Sequence, residues 1–211
     1  MATKEEKKQV IRDMVVKAAR IYSSELAGKT FLYVYGNDYF EVSFPVESFL
    51  HLTGVGVKLS AKEFYKNAKN AKLSTGQFYF DKDHIFANAK KKLPCLIRLP
   101  ELTNNLVFIL KDLKTSSAVY MISIANLEFT LGLTENVAKD GFRKNNYYIP
   151  KTLRVRDSAI SKSGGGEVVD FILKKDARIK KYNEIMVKDD RKHIPISIHY
   201  LVEDWLLNEI M

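Results

Sequence analysis

The stretch Phe49-Leu-His-Leu-Thr-Gly-Val55 sets one imidazole and one hydroxyl in an otherwise apolar, glycine-containing segment. A histidine in such a setting titrates near physiological pH and can take or give a proton, so His51 is the first candidate for chemistry. Thr53 can orient that imidazole or hold an anionic oxygen, although a threonine before glycine equally suits a turn. Gly54 allows a positive φ or a close backbone approach. Lys90, Lys91 and Lys92 can clamp an anion, Lys92 first among them, while the plainer reading of such a run is a solvated helix face. Lys151 and Thr152 come directly after Pro150. Arg154 and Arg156 alternate just beyond, which puts both on one face of a strand, where guanidinium groups suit phosphate better than lysines do. Lys174 and Lys175 join the candidate anion ligands, and exposed solubilising charge is the competing reading for all of them.

Other residues point away from familiar chemistries. Asp81-x-Asp83-His84 holds metal-ligating types, but adjacent spacing is poor for chelation on a helix. His193 and His199 flank Pro195 and read as structural or exposed, so no second histidine is marked as a partner for His51. Cys95, the single cysteine, lies between prolines in an apolar segment and reads as core; it excludes a disulfide framework and a multi-cysteine zinc site. The run of glycines at 164–166 lacks the lysine and hydroxyl that complete a phosphate loop. No Gly-x-Ser-x-Gly, nucleotide fingerprint or paired-carboxylate motif occurs.

The chain has 211 residues, 46% of them hydrophobic, and a formal net charge of +9, which suits one folded domain with an anionic partner. The charged start and the absence of any apolar run of roughly 18 residues read as no signal peptide and no membrane span, hence a cytoplasmic protein.

Several elements must position these residues. Thr3 with Glu6 reads as a capping box for a helix whose stripe is Val10, Ile11, Met14, Val15, Ala18, Tyr22 and Leu26, closed at Gly28. Residues 30–35 and 39–44 flank Gly36-Asn-Asp38 as a hairpin. Pro45 opens a short helix that carries His51 at its end, and Ser60 caps a helix over 61–72 with Phe64 and Tyr65 inward. Residues 83–104 are helical but broken by Pro94 and Pro100. Short strands follow over 106–110, 118–124, 127–131, 147–150 and 152–155, with a loop over 161–166. The apolar run 168–174 is of undecided type, and a closing helix over 196–210 packs Tyr200, Leu201, Trp205, Leu206 and Ile210. This order is α+β: N-terminal helices on a mostly antiparallel sheet, with a C-terminal helix.

Tyr33-Val-Tyr35, the Phe49–Gly54 block, Phe64-Tyr65, Leu73, the lysines before Leu93, Tyr148–Leu153, Val169–Lys175 and Tyr182 together resemble a phage-associated family. It belongs to the barnase/EndoU/colicin/RelE-like nucleases, and the likeness spans roughly residues 25–190. The resemblance implies metal-independent RNA cleavage with no cofactor, and an active face completed by residues of late strands, here Lys151 and Thr152. Such cleavage needs a base for the 2′-OH, an acid for the leaving oxygen and cations for the phosphate. The expected set is His51, Thr53, Lys92 and Thr152 for catalysis, with Lys90, Lys91, Lys151, Arg154, Arg156 and Lys174 binding RNA. A neutralising protein partner is also implied. The alternative is a non-catalytic, mobile-element protein that binds RNA or a protein–nucleic-acid machine and inhibits it.

Overall fold

The computed structural model describes residues 3–114, 118–155 and 166–210. Thr3 opens α1 (Lys4–Glu25) with the expected capping box: its hydroxyl accepts from the Glu6 N–H at 3.1 Å, and the Glu6 carboxylate accepts from the Thr3 N–H at 2.7 Å. Ile11, Val15, Ala18 and Tyr22 form the buried stripe, while Val10, expected there, faces solvent. After Gly28, at φ +78°, the hairpin β1 (Lys29–Tyr35) and β2 (Asp38–Ser43) turns through Gly36-Asn37.

α2 (Ser48–Thr53) starts after a turn at Pro45, whose carbonyl accepts from the Ser48 N–H, and ends on Gly54 at φ +76°. A two-stranded ribbon of β3 (Gly56–Val57) and β4 (Phe78–Tyr79) brackets α3 (Ala61–Lys69), which the Ser60 capping box opens. α3 stops short of Lys72 because the chain turns at Ala71, φ +57°.

Pro94 does not break its helix: α4 (Phe86–Ile97) runs through it. The missing N–H forfeits one hydrogen bond, to the Lys90 carbonyl, and the burial of Leu93, Cys95 and Leu96 around it holds the helix. Pro100 does separate α4 from α5 (Glu101–Asn104).

The strands are β5 (Phe108–Lys114), β6 (Val119–Ala125), β7 (Phe129–Val137), β8 (Arg143–Val155), β9 (Gly166–Val168), β10 (Phe171–Asp176) and β11 (Glu184–Lys188). With β1 and β2 they form a nine-stranded sheet in the order β11-β10-β1-β2-β8-β7-β6-β5-β9. Every pairing is antiparallel except β2 with β8, which meet in parallel at Val42 and Tyr148. The two late strands expected on either side of Lys151 are one strand. Gly132 pairs with Thr152 and Leu133 with Pro150, so Lys151 is the extra residue of a bulge, a position where a strand proline is tolerated. Of the undecided apolar run, Val168 ends β9 and residues 171–174 enter β10. Of the expected loop, only Gly166 is described, and it opens β9; residues 161–165, like Arg156, lie outside the described residues.

The closing segment is not one helix. A 3₁₀ turn (Ile196–Leu201) and α6 (Asp204–Ile210) are separated at Val202, which bridges to Tyr182. Leu206 and Ile210 are buried, but Tyr200 and Trp205 face solvent. β1 divides the two cores: Phe31 and Tyr33 face the helices, Leu32 and Val34 the C-terminal segment. The architecture is α+β. Among the described residues, no helix is long and apolar enough to cross a membrane.

Candidate active site

Three adjoining hollows line the side of the helical layer that meets β8. The first, about 410 Å³, is bounded by His51 of α2, Gly54 just after it, Tyr79 of β4, His84, and Asn88 and Lys92 of α4. The second, about 440 Å³, shares His51 and continues to Lys144 and Lys151. The third, about 280 Å³, shares Asn88 and Lys92 and adds Lys91, Thr152 and Arg154. Together they form one groove with His51 near its middle.

Local geometry explains the convergence. The bulge re-aims Lys151 beside His51. Gly54 lets the Lys92 stem lie against the end of α2: a Cβ there would stand 3.2 Å from Lys92 Cδ. Gly56 leaves room for Tyr79 and His84, since its Cβ would stand 2.5 Å from the tyrosine ring and 3.0 Å from His84 Cγ.

Electrostatics follow from this crowding of cations. Partial burial, then Lys151 and Lys92, push the His51 pKa below its ordinary value, so the ring is neutral at pH 7 and can accept a proton. Burial and then Arg154 lower that of Lys92. Cations held this close are stabilised by an anion between them.

The expected residues divide. His51, Lys91, Lys92, Lys151, Thr152 and Arg154 meet in the groove. Thr53 is fully buried; its hydroxyl donates to the Leu50 carbonyl at 2.7 Å and accepts from the Val55 N–H at 3.3 Å, so it fastens the end of α2 and touches no solvent. Lys90 is exposed but lines none of the three hollows. Lys174, on β10, pairs with Glu184 three strands away from β8, and the fold does not bring it to the groove. Tyr65 packs with Tyr22 and Phe49 in the core.

His84, read from the sequence only as part of a poor metal motif, also lines the groove. Its Nδ1 lies 3.0 Å from Asp81 Oδ1, which also accepts from the His84 N–H at 2.7 Å and the Asp83 N–H at 2.9 Å. The Tyr79 ring packs edge-on at 5.7 Å. Asp81 thus holds the imidazole, which lines the first hollow. The backbone hydrogen bonds from His84, above all, hold the Asp81 carboxyl below the usual range. Asp81 three residues before a histidine was the available signal. Among the described residues, no cluster of three or more His, Cys, Asp or Glu side chains could hold a metal ion.

No match was found among curated proteins or among solved structures. Residues 14–191 do match a family model, and that span takes in every wall of the groove. The family is described as phage-Barnase-EndoU-ColicinE5/D-RelE like nuclease4, and the chain belongs to it.

Proposed function

We propose that the groove cleaves single-stranded RNA by metal-independent transphosphorylation. The observation that carries this reading is that His51, His84 and Lys92 line one cavity, which supplies a base, an acid and a phosphate-binding cation together. His51, neutral because its pKa is lowered, takes the 2′-OH proton as that oxygen attacks the adjacent phosphorus. The new O2′–P bond forms, the P–O5′ bond breaks, and the His84 imidazole gives a proton to the leaving O5′. The products are a 2′,3′-cyclic phosphate and a free 5′-hydroxyl. Asp81 keeps the His84 ring in one orientation throughout. Lys92 and Lys151 hold the non-bridging oxygens, and Thr152, Lys91 and Arg154 take the neighbouring phosphate.

The purified protein is expected to cut RNA in EDTA, to leave 2′,3′-cyclic ends, and to spare an oligonucleotide that lacks the 2′-OH at the cut site. His51→Ala and His84→Ala should each abolish cleavage without moving Tm by more than a few degrees. Wild-type expression should slow bacterial growth and His51→Ala relieve it. Cleavage that disappears in EDTA, or that survives both substitutions, refutes the mechanism. Retained RNA binding with no cleavage by the wild type favours a protein that holds RNA without cutting it.

A further inference from the structure

The sheet opens beside the groove. β6 pairs with β5 along its length, from Val119 to Ala125, but with β7 only through Ser123–Gly132, Ile124–Leu131 and Ala125–Thr130. Beyond those pairs, among the described residues no ladder joins residues 119–122 to residues 133–137. The notch between them holds about 380 Å³, at the small end of ligand pockets. Tyr120, Met121, Leu133 and Tyr148 line it, and it shares Thr134, Glu135, Val137 and Lys151 with the hollow that contains His51. Gly132 sits at the last of those pairs: a Cβ there would stand 3.1 Å from the Tyr120 ring and 2.7 Å from Thr152, so glycine lets the ring settle over the end of the ladder.

We infer that this notch is a nucleobase subsite, which takes the base of a nucleotide whose phosphate Lys151 holds. The inference rests on the RNA reading of the groove and deepens it. Three features favour a base as the occupant. The notch is continuous with the cationic groove through Lys151, so a base entering it stays attached to a bound phosphate. Its walls offer tyrosine rings and apolar side chains to a flat ring; Met121 is 65% exposed and Val137 47%, both without cover in the fold. The Thr134 hydroxyl on its wall can donate to and accept from a base edge. Unstacked bases of single strands are recognised in this way, whereas a paired base is not available. The subsite therefore makes the substrate an unpaired strand and gives it a sequence preference at one position.

The test is calorimetric binding of 2′-O-methyl oligonucleotides, which cannot be cut, in the four homopolymer sequences. Wild type should discriminate the best from the worst by about tenfold or more. Tyr120→Ala should weaken the best sequence by roughly ten- to a hundredfold and flatten the series. Met121→Glu, on an exposed side chain that does not support the fold, should flatten it too. Lys151→Ala should weaken all four sequences alike and keep their ratio. Equal affinity for all four sequences, no RNA binding at all, or a series unchanged by Tyr120→Ala and Met121→Glu overturns the subsite. If base discrimination is absent while His51→Ala still abolishes cleavage, the subsite falls and the groove reading stands. If discrimination is present and behaves as described while wild type cuts nothing, the subsite stands and the catalytic reading falls.

Discussion

Replacing Gly56 by alanine tests how tightly the groove is built. Gly56 has no positive φ, so the backbone accepts alanine and the whole penalty is steric. The new methyl would lie 2.5 Å from Tyr79 Cε2 and 2.8 Å from Cζ. An ordinary carbon–carbon contact needs roughly 3.5 Å, so the ring must retreat by about 1 Å. Tyr79 packs edge-on against His84, which itself lies 3.0 Å from the same methyl, so the imidazole moves with it. Overpacking of this kind costs about 1–3 kcal/mol, or roughly 2–12 °C in Tm for a chain of this size. A displacement of about 1 Å at a proton-transfer group can cost on the order of a hundredfold in rate. Gly54→Ala is the control. Its methyl meets the flexible stem of Lys92 at 3.2 Å, but φ +76° imposes about 1–2 kcal/mol of backbone strain. Gly56→Ala should therefore lose more activity than Gly54→Ala at comparable stability, and Tyr79→Val placed in the Gly56→Ala protein should recover stability. Thermal melts and initial rates on one RNA decide it. Unchanged melting and unchanged rate for Gly56→Ala would refute the packing argument.

The acid limb of the pH–rate profile should lie below the ordinary histidine value, because burial and two lysines lower the His51 pKa. Lys151→Ala, or added salt, should move that limb to higher pH; a limb that stays fixed rules out Lys151 as a cause. The same depression acts on stability. The unfolded chain takes up the proton first, so the contribution of His51 is present above the unfolded value of about 6.5 and is lost as pH falls from there through the lowered folded-state pKa, and His51→Gln should remove that part of the acid destabilisation. On the other face of the sheet, the buried Lys175 ammonium donates to the Lys180 carbonyl at 2.8 Å, lies 4.4 Å from the Tyr182 ring centre and 3.9 Å from Glu41. Lys175→Met should cost about 3 kcal/mol in chemical denaturation, partly recovered with Glu41→Gln, while RNA cleavage in the folded protein persists. Finally, Arg154→Ala should reduce the slope of log K against log salt for single-stranded RNA by about 0.7, whereas Lys174→Ala should leave it unchanged; equal effects would put Lys174 in the binding track.

Local chemistry made much of the scaffold legible. Thr3 and Ser60 announce their helices by capping, Gly36-Asn37 its turn, and Gly54 its left-handed stop, because each signal is completed within a few residues. The misreadings arise where distant packing outvotes local preference. Pro94 stays inside α4 because its neighbours are buried, and the closing segment breaks at Val202 because Tyr182 pairs with it. The groove was half legible for the same reason. Lysine and arginine types were visible, but Lys151 aims at His51 only because β7 imposes a bulge on β8. Thr53 looked available until the turn consumed its hydroxyl. His84 reaches the cavity of His51 through a ribbon that closes between Gly56 and Tyr79, across the whole of α3, and no short motif encodes that closure.

The two halves of the sheet divide the work. From β11 to β2 the strands pair antiparallel, and β1 is buried against core on both faces, so this half supplies rigidity. From β2 onward the ladder is repeatedly interrupted: β2 touches β8 at one parallel pair, β8 carries the bulge at Lys151, and β6 leaves β7 after three pairs. Each interruption frees main chain and side chains that a regular ladder would consume. Each also borders the groove or its notch, through α2 at the β2 end, Lys151 at the bulge and Tyr120 at the parting of the strands. A regular sheet of the same strands would be more easily stabilised but would offer a flat face with no cavity. The irregular half keeps Ile109, Ile124, Phe129, Leu131, Leu133 and Leu153 buried in the core it shares with the helical layer, so substitutions at its exposed groove residues can remove chemistry while leaving the fold.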